Sequence, residues 1–226
     1  RSTLFPYTTL FRSLFIESWV RLYGELGLAY SEAAFAADFG RTSRDILRRT
    51  LGNDLADDRV RELDARKEAF YREIIRENFP AMDGAVELVD ALAAGGFKVA
   101  IGSSGPPENV ALVLEKFPAR GRIHAAVTGA NVTRGKPDPQ VFQLAAERLG
   151  VSPASCAVVE DAVHGVEAAR RAGMTSIALV GTTTREALSV ADLVVDSLRE
   201  LTPQGIGQRI RDRKSTRLNS SHLFIS

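Results

Sequence analysis

The chain has 226 residues, of which 45% are hydrophobic and 25% charged, with a net charge of +1 and one cysteine. That length and apolar fraction suffice for one core plus a smaller insertion, while the unbiased composition excludes low-complexity and collagenous classes. No apolar run approaches the roughly 20 residues a membrane helix needs, and a single cysteine rules out an internal disulfide framework.

Residues 1–13 show neither signal-peptide order nor a clean helical or strand period. Residues 4–13, LFPYTTLFRS, instead read as the translation of a common sequencing-adapter oligonucleotide. At the other end, residues 212–222, DRKSTRLNSSH, read as the translation of its partner. We therefore treat 1–13 and 212–226 as non-native, adapter-like segments. Each carries two net positive charges, so residues 14–211 are −3. The slight basicity vanishes, and with it any compositional case for nucleic acid as a partner.

From residue 14 to about 79 the pattern is helical throughout. Trp19, Leu22, Tyr23 and Leu26 share one face, and Gly27 follows as a stop. Further helices are predicted over 33–39, 43–51 and 58–78, the last with Leu63, Phe70 and Ile74 inward, followed by apolar Phe79. After Pro80 short apolar runs alternate with helices. Strands are predicted at 98–101, 125–128, 156–159, 176–180 and 193–195, and helices at 85–94, 109–117, 139–149 and 163–172. Such alternation implies crossover units and a parallel sheet. Cys156, in the run CAVV, reads as a buried strand thiol, which fits a reducing cytoplasmic setting. His124 and His164 read as surface or packing residues.

In a parallel sheet the ligand site lies beyond the carboxyl ends of the strands. Gly102-Ser103-Ser104-Gly105 follows the first of these strands, and its small residues suit a phosphate oxygen or a plain tight turn. Lys136, set in Gly-Lys-Pro-Asp-Pro, is a point charge held beside prolines, useful for neutralising phosphate and carboxylate together; taken singly, a surface lysine reads as well. Glu160 and Asp161 end a buried strand, where adjacent like charges are costly unless a cation or a basic group offsets them. Oxygen ligands of this kind suit magnesium; a helix-capping role is the plainer reading of Asp161, and the two roles can coexist.

Ser103, then Lys136 in RGKPDP, then VVEDAVHGVEAARRAGM, each beside a strand end, resemble the second, third and fourth motifs of the haloacid dehalogenase superfamily, in its β-phosphoglucomutase-like branch. Asp138 and Pro139 complete the third motif, and Gly165, Ala168, Ala169 and Gly173 belong to the helix of the fourth. The resemblance implies an α/β fold, a doubly wound parallel (Rossmann-like) core over 80–211 with an α-helical cap over 14–79. It further implies two-step phosphoryl transfer through an aspartyl-phosphate. Ser103 would bond the phosphoryl group with Ser104 and Gly105 beside it, Lys136 would balance charge, and Glu160 and Asp161 would hold Mg2+. Arg41, Arg44 and Lys67 of the cap are candidates to grip a small phosphorylated metabolite, with no obligate protein partner implied.

One departure matters most. The family's first motif, Asp-x-Asp-Gly, has no counterpart, since no aspartate precedes Asp38. The central first strand is accordingly expected to be absent or replaced, its neighbours to expose unpaired edges, and the chain to be inactive and poorly stable. Phe15 stands where the mutases of the family carry a histidine, and Pro106 and Pro107 replace a polar run that holds a second phosphate. Phosphatase is therefore expected over sugar-phosphate mutase, with a non-catalytic phosphate-ligand binder as the third reading.

Overall fold

The computed structural model describes residues 2–5, 12–31, 33–35, 42–79 and 82–221. Two compact units emerge, one of Arg1–Thr9 with Ala81–Ser226 and one of Leu10–Pro80.

The larger unit carries strands β1 (Ser2–Phe5), β2 (Lys98–Gly102), β3 (Ile123–Val127), β4 (Cys156–Glu160), β5 (Thr175–Leu179) and β6 (Leu193–Val195). They form one six-stranded sheet in the order β3-β2-β1-β4-β5-β6, every described pair parallel. This doubly wound order reverses direction beside β1, the place where such sheets open a crevice for ligands. Helices α4 (Ala85–Ala94), α5 (Pro107–Lys116), α6 (Gln140–Leu149), α7 (Val163–Arg171) and α8 (Pro203–Ser221) belong to the same unit.

All five residues of β4 are buried because both faces of the sheet are covered. Ala157 and Val159 pack with α4 and α8 through Leu88, Leu92, Ile206 and Ile210. Cys156 and Val158 point the other way, among Val141, Phe142, Ala168 and Ala169 of α6 and α7. Strand alternation then sends Glu160 to the α6–α7 face as well.

Of the two expectations for the central strand, absence or replacement, replacement is what the sheet shows. Ser2–Phe5, inside the adapter-like segment, pairs with β2 from Ser2↔Lys98 to Phe5↔Ile101 and with β4 from Ser2↔Cys156 to Leu4↔Val158. The expectation of unpaired edges on β2 and β4 is thereby corrected. A strand ladder uses main-chain groups that every non-proline residue carries, so an extended tetrapeptide fills the slot whatever its origin. The helix α8 likewise runs through Ser221, and within it Arg213 pairs with Asp192 while Lys214 donates to Ser155 at 3.2 Å.

A second correction concerns β3, which begins at Ile123 rather than 125. The Nδ1 of His124 accepts the Val99 N–H at 3.2 Å, and the ladder shifts register between Val99 and Ala100. An imidazole replacing a carbonyl acceptor has no signature in apolar periodicity.

The smaller unit packs α1 (Arg12–Glu25), α2 (Ser43–Leu51) and α3 (Asp57–Glu77) around Trp19, Leu22, Tyr23, Ile46, Leu47, Val60, Leu63 and Phe70. Thr42 caps α2, its hydroxyl accepting the Asp45 N–H at 3.2 Å. Of the helix predicted over 33–39, residues 33–35 are helical and the remainder lies outside the described residues.

Removing residues 1–5 should abolish the cooperative thermal transition of the larger unit, because β2 and β4 lose their shared neighbour; circular dichroism against temperature reads this. Burial pushes the Cys156 thiol up to about 11. It should resist a thiol reagent at pH 8 in the folded protein and react fully in guanidinium, as followed by absorbance.

Candidate active site

The carboxyl end of β4 is where the polar groups gather. Glu160 ends the strand with its side chain 1% exposed, and a carboxylate so placed needs compensation. Lys136 supplies it: the ammonium, 15% exposed, pairs with Glu160 Oε1. The other carboxylate oxygen, Oε2, accepts the N–H of Asp161 at 3.1 Å and of Ala162 at 3.2 Å. Both oxygens of this carboxylate are engaged, Oε1 once and Oε2 twice, which leaves one lone pair of Oε1 for a further cation.

Space is as restricted as charge. Gly165, in the first turn of α7, faces the Glu160 carboxylate so closely that a methyl there would overlap it. This glycine is required by approach rather than by backbone angle. Beneath Lys136 lies the ring of Phe142, 5.0 Å from the ammonium. The same ring is the nearest neighbour of Gly102, where an added Cβ would meet it at 3.1 Å. Phe142 thus forms a floor under both Lys136 and the end of β2.

At that end Ser103 is buried, its N–H donating to Val127 O at 2.9 Å. Its Oγ accepts the Gly105 N–H at 2.9 Å, which leaves the hydroxyl proton as the group available to donate. Gly105 O accepts the Gly129 N–H at 2.9 Å, so the polar groups of Gly105 are engaged within the loop, while Ser104 is exposed at its tip. β2 and β4 flank β1 in the sheet, which separates their ends by about 10 Å at the usual strand spacing.

Asp161 is fully buried, and its carbonyl accepts the Thr182 hydroxyl at 2.6 Å. Thr182 belongs to the run Gly181-Thr182-Thr183-Thr184 beyond β5. The rule that polar residues just past a strand merit attention applies to this strand too, and would have found it.

Whether Glu160 and Asp161 fit a divalent cation turns on the donor set. Magnesium takes one or two protein carboxylates and completes its octahedron with water and substrate phosphate. Two adjacent carboxylates beside one ammonium form an oxygen-donor set of the kind that suits a cation shared with a phosphate. Among the described residues no group of three His, Cys, Asp or Glu converges to hold a metal unaided. The donors suit the shared arrangement and not a closed protein cage.

The cap candidates belong to the smaller unit. Lys67 is 3% exposed, pairs with Glu68, donates to Ser43 Oγ at 3.4 Å, and lies 5.5 and 5.2 Å from the Phe15 and Trp19 rings. Its charge is already balanced inside the helical unit. Arg44 is exposed in the first turn of α2, and Arg41 lies outside the described residues. His164 is exposed. Among the described residues no helix is long and apolar enough to cross a membrane.

Residues 3–173 match the family model of the haloacid dehalogenase-like hydrolases. Validoxylamine A 7'-phosphate phosphatase of Streptomyces hygroscopicus subsp. limoneus is 30% identical over 84% of this chain and 89% of its own length. Beta-phosphoglucomutase of Bacillus subtilis is 35% identical over 62% of this chain, and the match spans 61% of that relative. The crystal structure of a family IA, variant 3 hydrolase from Entamoeba histolytica shares the fold, with TM-score 0.83 and 24% identity over 93% of this chain and 99% of that one.

Replacing Lys136 by Met should cost about 3 kcal/mol in chemical denaturation by stranding the Glu160 charge. Adding Glu160→Gln, which keeps an acceptor for the two amides, should recover most of that loss.

Proposed function

The chain belongs to the haloacid dehalogenase-like hydrolases, and from that premise we propose that its larger unit carries the metal and phosphate positions of a magnesium-assisted phosphatase for small phosphorylated metabolites, active in a parent that has the first motif. The observation that carries this reading is the buried Lys136–Glu160 pair beside Asp161, at the strand end next to β1.

In this reading the Ser103 hydroxyl, already an acceptor from Gly105, donates its proton to a phosphoryl oxygen. Lys136 keeps two ammonium protons beyond the one directed at Glu160 and places positive charge beside the transferring group. Glu160 and Asp161 would hold Mg2+, which supplies neutralisation of charge on the phosphoryl oxygens. Phe142 keeps the ammonium and the β2 end over one apolar floor.

What the chain lacks is the attacking carboxylate. The residues after β1 are Pro6, Tyr7, Thr8 and Thr9, and no aspartate precedes Asp38. In relatives with the Asp-x-Asp-Gly motif, one aspartate attacks phosphorus and the second moves the proton, through an aspartyl-phosphate. Without them this chain is read as competent to bind and not to turn over.

Water as the final acceptor is favoured over a second sugar hydroxyl by the start of α5. Pro106 at its N-cap and Pro107 at its first position offer no N–H to a second phosphate. Phe15 stacks on Tyr71 at 4.6 Å, in the place of a titratable imidazole.

Phosphate release from a panel of sugar and polyol monoesters, with magnesium, tests the reading. The chain itself should stay at background. A chimera in which residues 1–13 are replaced by the corresponding Asp-x-Asp-Gly segment of a relative should gain turnover, which Ser103→Ala should lower about a hundredfold or more. Magnesium-dependent turnover by the unaltered chain would sink the missing-nucleophile reading, and a chimera that converts one sugar phosphate into its isomer would favour a mutase.

A further inference from the structure

Asp161 is held from both sides by groups distant in sequence or reach. Its own N–H and that of Ala162 donate to Glu160 Oε2 at 3.1 and 3.2 Å. Its carbonyl accepts the Thr182 hydroxyl at 2.6 Å, across 21 residues of chain. The peptide joining Asp161 to Ala162 is thus clamped at both ends, its N–H by a carboxylate on β4 and its C=O by a hydroxyl beyond β5. With the preceding peptide also engaged, both backbone dihedrals of Asp161 are constrained.

The three consecutive threonines are not equivalent. Thr184 serves the following turn, where its hydroxyl accepts the Ala187 N–H at 3.3 Å and its carbonyl the Leu188 N–H at 3.2 Å. Thr182 alone among them is recorded reaching across to the β4 end.

We propose that Thr182 is a positioning residue for the candidate metal and phosphate site: its hydroxyl fixes the Asp161 backbone and so presents the Asp161 carboxylate to a divalent cation. This rests on the reading of Glu160 and Asp161 as magnesium ligands. Glu160 is fixed by Lys136 and by the close face of Gly165. Asp161 is fully buried, and the carbonyl clamp from Thr182 fixes the backbone that carries its side chain.

The test uses the full chain with Thr182→Val, which keeps the shape and deletes the donor, Thr182→Ala as a second deletion, and Thr182→Ser, which restores it. Thr183→Val is the control one residue on. Magnesium chloride is titrated by calorimetry in the presence of inorganic phosphate, while amide exchange at Asp161 and Ala162 is followed by NMR. Val and Ala should weaken magnesium binding about fivefold, a loss proportionate to one hydrogen bond, and speed exchange at both amides. Ser and the control should match the parent, and the melting temperatures should stay close to one another.

Parent-like magnesium affinity in Thr182→Val and Thr182→Ala would overturn the proposal, as would a serine variant as weak as they are. Should the parent bind no magnesium, the metal reading fails by itself. The exchange contrast then decides Thr182 separately: faster exchange in the deletions and not in serine sustains the clamp, and unchanged exchange removes it.

Discussion

A carboxylate buried at the end of a strand covered on both faces cannot remain charged unless something compensates it, and the Lys136–Glu160 pair answers that constraint. Much of the surrounding geometry follows. Glu160 points to the α6–α7 face because strand alternation puts it in phase with Cys156 and Val158. Room for it exists because residue 165 is glycine. Its second oxygen collects the two amides that open the turn into α7, which leaves Lys136 to hold the first. Asp161 lies buried beside the pair, and the proposed cation shared with a phosphate rests on these two carboxylates together.

The location of the pair is a property of the sheet. In a doubly wound parallel arrangement the chain departs to opposite sides from the middle, leaving a crevice beyond the carboxyl ends. β1 occupies that middle, with Ser103 after one neighbour and Glu160 ending the other. The ladder accepts Ser2–Phe5 at the centre through its backbone alone, so architecture and chemistry separate here. Ser2–Phe5 fills the centre of the described sheet, while the Asp-x-Asp-Gly expected from the family resemblance has no counterpart in the sequence. On the proposed reading Ser103, Lys136, Glu160 and Asp161 are kept while the group that makes the new bond is not.

The helical unit has its own economy of charge. Lys67 is buried among Phe15 and Trp19 with Glu68 as its counter-ion, so it contributes to that unit's interior as a balanced pair. Arg44, at the start of α2, is exposed.

Signals in the sequence determined a good deal: the helical unit, the alternation that makes a parallel sheet, and the residues Ser103, Lys136, Glu160 and Asp161. The elements and the Glu160–Asp161 pair follow from short-range facts, the period of apolar residues and two acids closing an apolar run, whereas Ser103 and Lys136 stood out only through the family resemblance. The tertiary structure decided what depends on which strands become neighbours. It paired Lys136 with Glu160 across 24 residues and Thr182 with Asp161 across 21. It put an apparently foreign tetrapeptide at the centre of the sheet and gave His124 a place in the β2–β3 ladder. These outcomes rest on main-chain hydrogen bonding and on distances between elements, and neither leaves a mark on the order of side chains along the chain.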